Sequence, residues 1–555
     1  MSTLTRFCLL TVTVISLTST ASAQASPKVD TTTGVISGCV TINDRPAPRI
    51  PVVIEPFNSP PTRARLPKTV TDEEGNYRLR HVPEGRYVVK PMAPSLVIAD
   101  CPGPEQPGSI ISSGHGMEGF ILTVARKDVI EHIDFTLTLG GVITGRVTDD
   151  EGRPVIATSV YCYRLNERGE PDGSSSERFE TDDRGVYRIY GLPDGNYVVS
   201  VSGAGNAARY PLTFHPDTTD KERATPVEVT AGGESSDVDI RLGKPESSRV
   251  IRGRVVDDAT GQAVSDVFID YRGSQKSGVG SQGAVMTRAE GIFEINAPPG
   301  QYKIGIATTG PPDEGYYSDP VTVEVSDADV NDVEVRATRG ASVSGMIVVE
   351  GANDLSLVNK LTNTSLSASR LLPPEVAANL HYSMLFKGTI MKPGGGFKFT
   401  GLRPGKTKIR PDNLPQEFAF LRVERGGAII TDALDISPGE KVTGVRIVVA
   451  YGTGSVRGQA KIEGGTPPFK MGWVLEVRRD DGEQVSFQLL DARGQFWVKG
   501  LAPGTYEVVA TIDYAEIPGV TPSPYPAPVK QRVTVEKGRE SHVSLTLDLG
   551  AGGKK

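Results

Sequence analysis

A short turn motif recurs five times along this 555-residue chain, at intervals of about 100 residues. Each copy has a Gly that follows a Pro by one or two residues and, in four copies, precedes a Tyr by two. The five glycines are Gly85, Gly195, Gly300, Gly405 and Gly504. Such an interval is too long for one solenoid repeat and is typical of one small β-domain. The motif therefore predicts five tandem modules of similar fold.

The repeat spacing divides the chain into a signal peptide and five modules, whose names are used throughout. We place the signal peptide at 1–23, module 1 at 24–140, module 2 at 141–245, module 3 at 246–339, module 4 at 340–452 with an insert at 351–390, and module 5 at 453–550. A chain of this length exceeds what one hydrophobic core organises. Gly (62) and Pro (41) lie at turn positions along the whole chain, which favours folded β-domains over one disordered block.

The first 23 residues have the three parts of a secretory signal. Arg6 supplies the positive charge, residues 7–17 supply a short apolar core, and Ala21-Ser22-Ala23 resembles a cleavage site. The apolar stretch is short for a membrane-spanning helix, so cleavage is favoured over a retained membrane anchor. We expect an exported protein, periplasmic, extracellular or on the cell surface, with no membrane span once the signal is removed.

The charge of the chain bears on its partners. The net charge is −7, and no segment is strongly basic. Binding of nucleic acid by counterion release needs a basic face. We therefore expect no nucleic-acid partner, and a monomer that binds a cell-envelope protein or polysaccharide.

Two further patterns recur within the modules, and both are typical of β-strands. The first apolar strand of each module carries a glycine, at Gly38, Gly145, Gly253, Gly345 and Gly458. A Gly-x-aromatic pattern follows later, with its aromatic residue at Tyr77, Tyr187, Phe293, Phe397 and Phe496. Alternating apolar and polar residues between turn signals predict an all-β fold of antiparallel sandwiches. One short helical turn is expected within residues 371–380.

Module 2 carries a series of residues that resembles one domain family. The series is Gly145, Val147, Asp149, Gly152, Pro154, Val155, Thr181, Asp182, Gly185, Tyr187, Leu192, Pro193, Gly195, Tyr197 and Val199. It resembles the carboxypeptidase regulatory-like domain; module 3 is similar, and modules 1, 4 and 5 keep the second half. The resemblance implies a seven-stranded transthyretin-like sandwich, of the Ig-like or Cna-B-like kind, in each module. It implies no activity, because that domain accompanies a catalytic domain that is absent from this sequence.

One fragment of the sequence resembles a zinc motif. His81 and Glu84 have the H-x-x-E spacing of a metallocarboxypeptidase. The repeat register instead places both residues in the turn before the final strands, with no second ligand at useful spacing. Acidic turns such as 72–76 and 182–185 lack the spaced oxygen ligands of a calcium loop. We expect no catalytic residues, metal or cofactor.

The cysteines that follow the signal peptide are Cys39, Cys101 and Cys162. Cys39 takes a solvent-facing position of the first strand, and Cys101 lies in a Pro/Gly-rich loop of the same module. A Cys39–Cys101 disulfide is consistent with export, with two free thiols as the alternative. Cys162 is interpreted as an inert thiol within a strand.

Trp497 is the candidate binding residue. It takes the outward position that charged residues occupy in the other modules, so the register predicts an exposed indole on a sheet face of module 5. Exposed aromatic side chains stack on sugar rings or contact partner proteins. The alternative is that Trp497 covers a neighbouring module or packs under a loop with Trp473, the second tryptophan.

These features predict a non-catalytic, exported scaffold, adhesion or protein-interaction protein. An extracellular carbohydrate-binding protein that uses the aromatic side chain of module 5 is the alternative. An enzyme, the third hypothesis, would need a pocket built from the insert 351–390.

Overall fold

The structure is a computed structural model that describes residues 33–57, 66–100, 119–166, 168–170, 179–202, 210–245, 248–274, 282–307, 315–352, 354–373, 386–463, 472–513 and 528–548. The predicted signal peptide and Cys101 lie outside the described residues. Among the described residues, no helix is long and apolar enough to cross a membrane. Nearly all of the regular structure is β-strand.

The strands of modules 1 to 3 are as follows. Module 1 has β1 (Gly34–Ile42), β2 (Arg45–Pro46), β3 (Pro51–Pro56), β4 (Lys68–Val70), β5 (Asn76–Val82), β6 (Gly85–Pro91), β7 (Leu96–Asp100), β8 (Phe120–Val124), β9 (Val129–Ile130) and β10 (Phe135–Leu139). Module 2 has β11 (Gly141–Thr148), β12 (Ser159–Arg164), β13 (Phe179–Glu180), β14 (Val186–Leu192), β15 (Gly195–Ser202), β16 (Thr213–Phe214), β17 (Val227–Val229), β18 (Glu234–Ser235) and β19 (Ile240–Arg241). Module 3 has β20 (Arg249–Asp257), β21 (Phe268–Ser274), β22 (Gln282–Met286), β23 (Ile292–Ala297), β24 (Gly300–Ile306), β25 (Tyr316–Tyr317), β26 (Val321–Val325) and β27 (Val330–Arg339).

Modules 4 and 5 continue the series. Module 4 has β28 (Ala341–Val349), β29 (Ser365–Arg370), β30 (Phe386–Ile390), β31 (Gly396–Leu402), β32 (Gly405–Pro411), β33 (Phe418–Arg425), β34 (Ala428–Ile430), β35 (Leu434–Ile436) and β36 (Lys441–Tyr451). Module 5 has β37 (Gly454–Glu463), β38 (Gly472–Arg479), β39 (Gln484–Leu489), β40 (Gln495–Leu501), β41 (Gly504–Asp513), β42 (Val529–Val535) and β43 (Glu540–Asp548). The described helices are α1 (Leu355–Lys360) and the 3₁₀ helices Lys221–Arg223, Ala289–Gly291 and Pro393–Gly395.

The strands form sheets that pair around separate cores, which confirms the all-β sandwich prediction. Module 5, for example, has the sheet β40-β37-β43 and the sheet β39-β38-β41-β42. Side chains from both of these sheets, such as Val456, Val508 and Leu545, share one buried cluster. The seven-strand count and the module bounds stay predictions.

The direction of the closing strand differs from the antiparallel prediction. In module 5 the first strand β37 pairs in parallel with the closing strand β43, from Ser455↔Glu540 to Glu463↔Asp548. The same parallel pairing joins β20 to β27 and β28 to β36. Before the closing strand, the chain runs through strands of the other sheet. No hairpin therefore joins the closing strand to its partner and sets its direction. Residue alternation is the same for either direction and could not reveal it.

The recurrent glycine of the first strand allows a close approach by the closing segment. A Cβ on Gly145 would lie 2.0 Å from the carbonyl oxygen of Val238. The Gly-x-aromatic residue of the same module, Tyr187, lies over this glycine and donates its hydroxyl hydrogen to that carbonyl. Tyr77 makes the same bond to Ile133 at 2.6 Å. The two recurrent patterns therefore form one structural unit.

The tyrosine of the turn motif has a fixed role as well. The hydroxyl of Tyr197 donates to the carbonyl oxygen of Pro193 at 2.7 Å. Tyr302 and Tyr506 make the equivalent bonds at 2.8 Å. In each case the ring packs inward while its hydroxyl finds a backbone partner at the corner of the sandwich.

Module 4 contains a helix, α1, that the sequence analysis did not predict. Asp354 caps α1 by accepting a hydrogen bond from the backbone N–H of Ser356 at 2.8 Å. Residues 371–373 are not helical, and 374–380 lie outside the described residues. The helical turn expected within residues 371–380 therefore stays a prediction.

The modules also contact one another. A Cβ on Gly191 of module 2 would lie 2.3 Å from the carbonyl oxygen of Pro94 in module 1. Arg403 of module 4 pairs with Asp319 of module 3 at 2.7 Å. Thr453 of module 5 donates its hydroxyl hydrogen to the carbonyl oxygen of Gln416 in module 4 at 2.8 Å. Together with the contact between modules 1 and 5 described next, these junctions close the chain on itself.

Candidate interaction surface

The turn 490–494 of module 5 packs against strand β8 of module 1. Strand β8 is the last strand of the sheet β4-β3-β6-β8, so one of its edges has no partner among the described strands of that sheet. The backbone N–H of Ala492 donates to the carbonyl oxygen of Ile121 in β8, with a nitrogen–oxygen distance of 2.8 Å. We call the contact between this turn and β8 the 1–5 junction. It covers a strand edge that would otherwise expose unpaired backbone groups.

Asp491 is the central residue of the 1–5 junction and is fully buried. Its Oδ1 atom accepts hydrogen bonds from the backbone N–H groups of Arg493 and Gln495, both at 2.8 Å, which shape the turn. Its Oδ2 atom accepts from the backbone N–H of Thr123 in module 1 at 2.9 Å. One carboxylate therefore organises its own turn and satisfies the edge of another module.

Arg493 completes the pairing with β8. Its Nη2 atom lies 3.2 Å from Oδ2 of Asp491, and it donates to the carbonyl oxygen of Thr123 at 2.8 Å. The buried negative charge thus has a charged partner as well as hydrogen bonds, as a buried carboxylate requires. Both backbone groups of Thr123 that face module 5 are satisfied by side chains of this turn.

Ala492 occupies the apolar part of the 1–5 junction. Only 2% of its surface is exposed, and it belongs to the hydrophobic cluster of module 1. The equivalent turn positions in modules 1 and 2 are Glu73 and Asp183, both exposed. A small apolar residue in place of an acidic one is the sequence signal that could have identified this turn, and our sequence reading missed it.

Two ion pairs lie at the rim of the 1–5 junction. Arg457 Nη2 lies 3.0 Å from Asp128 Oδ2, and Lys499 Nζ lies 3.2 Å from Glu84 Oε1. Partial burial alone would raise the pKa of Glu84, but hydrogen bonds from Arg126 and Lys499 lower the pKa of this carboxyl below its usual range. The carboxylate of the apparent zinc motif therefore acts as a rim residue of the junction.

Arg86, the residue after the motif glycine of module 1, reaches into module 5. Its Nη1 atom donates to the side-chain oxygen of Gln488 at 2.8 Å, and its Nη2 atom donates to the carbonyl oxygen of Leu489. Burial lowers the pKa of Arg86 to about 10, although the nearby charge of Asp491 raises it. The guanidinium also lies over the ring of Phe57, 5.2 Å from its centroid.

Trp497 lies at the rim of the same junction, half-buried rather than exposed. The amino group of Lys499 lies 3.4 Å from the centroid of the indole, and the guanidinium of Arg457 lies 6.0 Å from it. Both cations also pair with carboxylates of module 1. The register places Trp497 opposite Arg457 of β37, but it could not show that Arg457 and Lys499 pair with carboxylates of module 1 beside the indole. Ligand binding by Trp497 stays a prediction, and the side chain of Trp473 lies outside the described part.

The predicted disulfide has one described partner. Cys39 is half-buried, and its backbone N–H donates to Asp134 Oδ1 at 2.8 Å. Partial burial and the charge of Asp134 raise the pKa of its thiol. Cys162 is buried, and burial raises the pKa of its thiol strongly, which suits an inert core position. The Cys39–Cys101 disulfide stays a prediction because Cys101 lies outside the described residues.

A cavity of about 440 Å³ lies where modules 1 and 2 meet. Leu139 and Tyr190 line it on the apolar side, and the ion pair between Arg188 and Glu234, 2.8 Å apart, lines it on the polar side. Among the described residues, no group of three or more His, Cys, Asp and Glu side chains is arranged to hold a metal ion.

Comparison with solved structures gives distant similarities. A streptococcal ancillary pilin is 14% identical, with a TM-score of 0.25. The match covers 55% of this chain and 98% of the pilin chain. The Bacillus anthracis TIE protein is 12% identical, with a TM-score of 0.17, and covers 82% of this chain and 75% of its own. GBS52, a minor pilin of Streptococcus agalactiae, is 15% identical, with a TM-score of 0.18, and covers 38% of this chain and 96% of its own. No curated protein matches the chain.

The sequence itself matches one family model. Residues 142–243 match the model described as the carboxypeptidase regulatory-like domain. This match lies within module 2, where the sequence carries the full series of recurrent residues, and it confirms the resemblance. The chain is therefore a multi-sandwich β-protein that contains a carboxypeptidase regulatory-like domain.

Proposed function

We propose that this protein is a non-catalytic, exported scaffold or adhesion protein that presents its modules in a fixed arrangement to a partner in the cell envelope. The observation that carries the proposal is the 1–5 junction. A fully buried carboxylate, Asp491, links two modules that are far apart in the sequence. Specific contacts of this kind set the relative position of modules, as a scaffold requires and as independent tethered modules do not.

The other junctions support the same function. The guanidinium of Arg403 lies 4.9 Å from the centroid of Tyr317, besides pairing with Asp319. Arg479 of module 5 donates to the carbonyl oxygen of Leu421 in module 4 at 3.1 Å. Arginine side chains that combine stacking with directed hydrogen bonds fix an orientation better than lysine side chains do. We infer that the surfaces left free by these junctions bind the partner.

The proposal is tested with the mature chain in two measurements. Labelled protein is titrated onto intact cell envelopes, onto protease-treated envelopes and onto purified envelope polysaccharide. Saturable binding that protease treatment removes supports a protein partner, whereas binding to the polysaccharide alone would favour the carbohydrate-binding alternative. Turnover of peptides or glycans by the mature chain would contradict a non-catalytic role.

A further inference from the structure

The two surfaces of the 1–5 junction are different from each other. One is the outer edge of β8 in module 1, and the other is the turn 490–494 of module 5. A contact between two different surfaces of one chain can close that chain or join it to the next copy. We propose that the 1–5 junction is also a self-association site, in which module 5 of one copy binds module 1 of a second copy.

The contacts favour this occupant over other strands or peptides. When the junction opens, β8 exposes the backbone N–H of Thr123 and the carbonyl oxygens of Ile121 and Thr123. Exposed strand edges bind other chains. The turn of a second copy supplies the carboxylate of Asp491 as acceptor, the guanidinium of Arg493 as donor and the small apolar side chain of Ala492. These groups lie in the positions that this edge accommodates. Any other occupant would have to match those groups anew.

The balance between closing and joining depends on concentration. Closure within one chain acts as an intramolecular reaction with an effective concentration on the order of millimolar for flexibly linked sites. A dilute chain is therefore a closed monomer, in agreement with the monomer expected from the sequence. Chains displayed densely on a surface reach comparable local concentrations, and joining then competes with closure. This inference goes beyond the proposed function because it needs no envelope partner.

The test combines two full-length variants, each with one damaged half of the junction. In Asp491→Asn the side-chain oxygen still shapes the turn, but an amide donor faces the N–H of Thr123. Thr123→Asp puts a second carboxylate on the fully buried residue whose backbone N–H bonds to Asp491; Thr123 lies outside the hydrophobic cluster of module 1 that contains its neighbours Leu122 and Val124. Each variant keeps one intact surface of the junction and has one damaged surface. It can therefore neither close its own junction nor bind a second copy of itself.

An equimolar mixture of the two variants should contain a species of twice the monomer mass, measured by light scattering after size-exclusion chromatography. Each variant alone should remain a monomer at the same total concentration, up to about 1 mM. Asp182→Asn is the matched control, because Asp182 makes the same turn bonds to the N–H groups of Arg184 and Val186 but lies outside the junction. Mixed with Thr123→Asp at total concentrations well below about 1 mM, it should give little dimer, because its own junction stays closed at those concentrations.

A mixture that stays monomeric throughout that concentration range would overturn the proposal. Self-association of either variant alone to the same extent as the mixture would also overturn it, because the occupant of β8 would then be another surface. If Thr123→Asp does not fold, Glu84→Lys, which sets a lysine against Lys499, replaces it in the same mixture.

Discussion

The carboxylate of Asp491 accepts a hydrogen bond from the backbone N–H of Thr123 at 2.9 Å, across a separation of 368 residues in the sequence. The homologous Asp182 of module 2 makes the same bonds within its turn but contacts no other module through them. The same acidic turn thus serves one module as a hairpin turn and another as an anchor. The difference lies in what the turn faces.

The first prediction concerns hydrogen exchange at this bond. In Asp491→Asn, the amide of Thr123 should lose protection because the variant side chain cannot accept its hydrogen bond. An unsatisfied buried donor costs about 1–3 kcal/mol, so exchange should accelerate by roughly one to two orders of magnitude. Exchange measured by mass spectrometry over β8 checks this. Asp182→Asn should leave β8 unchanged, and a wild-type Thr123 amide that exchanges freely would contradict the junction.

The second prediction concerns acid. The pKa of Glu84 is lower in the folded chain than in the unfolded chain, so its contribution is present above the ordinary Glu value of about 4.3 and is lost as the pH falls through the lowered value. The difference in melting temperature between wild type and Glu84→Gln should therefore shrink as the pH falls below about 4. A difference that stays constant, or that grows in acid, would show that Glu84 is not paired in solution.

The third prediction concerns the glycine of the first strand. Gly145→Ala should destabilise module 2 by about 1–3 kcal/mol, because the added methyl group meets the carbonyl oxygen of Val238. Gly243→Ala is the matched control, since a Cβ on Gly243 would have no atom of the described residues within 4 Å. Differential scanning calorimetry of the full chain should show a lower transition for the first variant alone. Equal melting of the two variants would refute the packing role.

The fourth prediction concerns the indole of Trp497. In a Trp473→Phe background, Asp491→Asn should shift the emission of Trp497 to longer wavelength, because opening the junction exposes the ring to water. The same samples, titrated with soluble polysaccharide, test the predicted ligand role. A shift on adding polysaccharide to the chain that carries both Trp473→Phe and Asp491→Asn would support sugar stacking. If polysaccharide leaves the spectrum unchanged both in that chain and in Trp473→Phe alone, Trp497 is a junction residue only.

The sequence alone was sufficient for the repeat and the fold class, because both depend on local patterns. The partners of Tyr197 and the packing of Tyr187 follow from turn chemistry and alternation within one module. The parallel closing strand did not follow, since alternation is the same in both directions. The 1–5 junction also lay beyond the sequence reading, because Thr123 and Asp491 meet only when two modules fold and approach. Its one visible signal was Ala492, an apolar residue at the turn position where modules 1 and 2 have acidic residues.

The parallel pairing of first and closing strands has a mechanical consequence. In module 5 the chain enters along β37 and leaves along β43 at the opposite end, with the two strands paired side by side from Ser455↔Glu540 to Glu463↔Asp548. Tension between the two ends of the module pulls these strands past each other, so it loads their hydrogen bonds together instead of one after another. The module gains resistance to tension from this arrangement, because the rupture of one bond does not release the next.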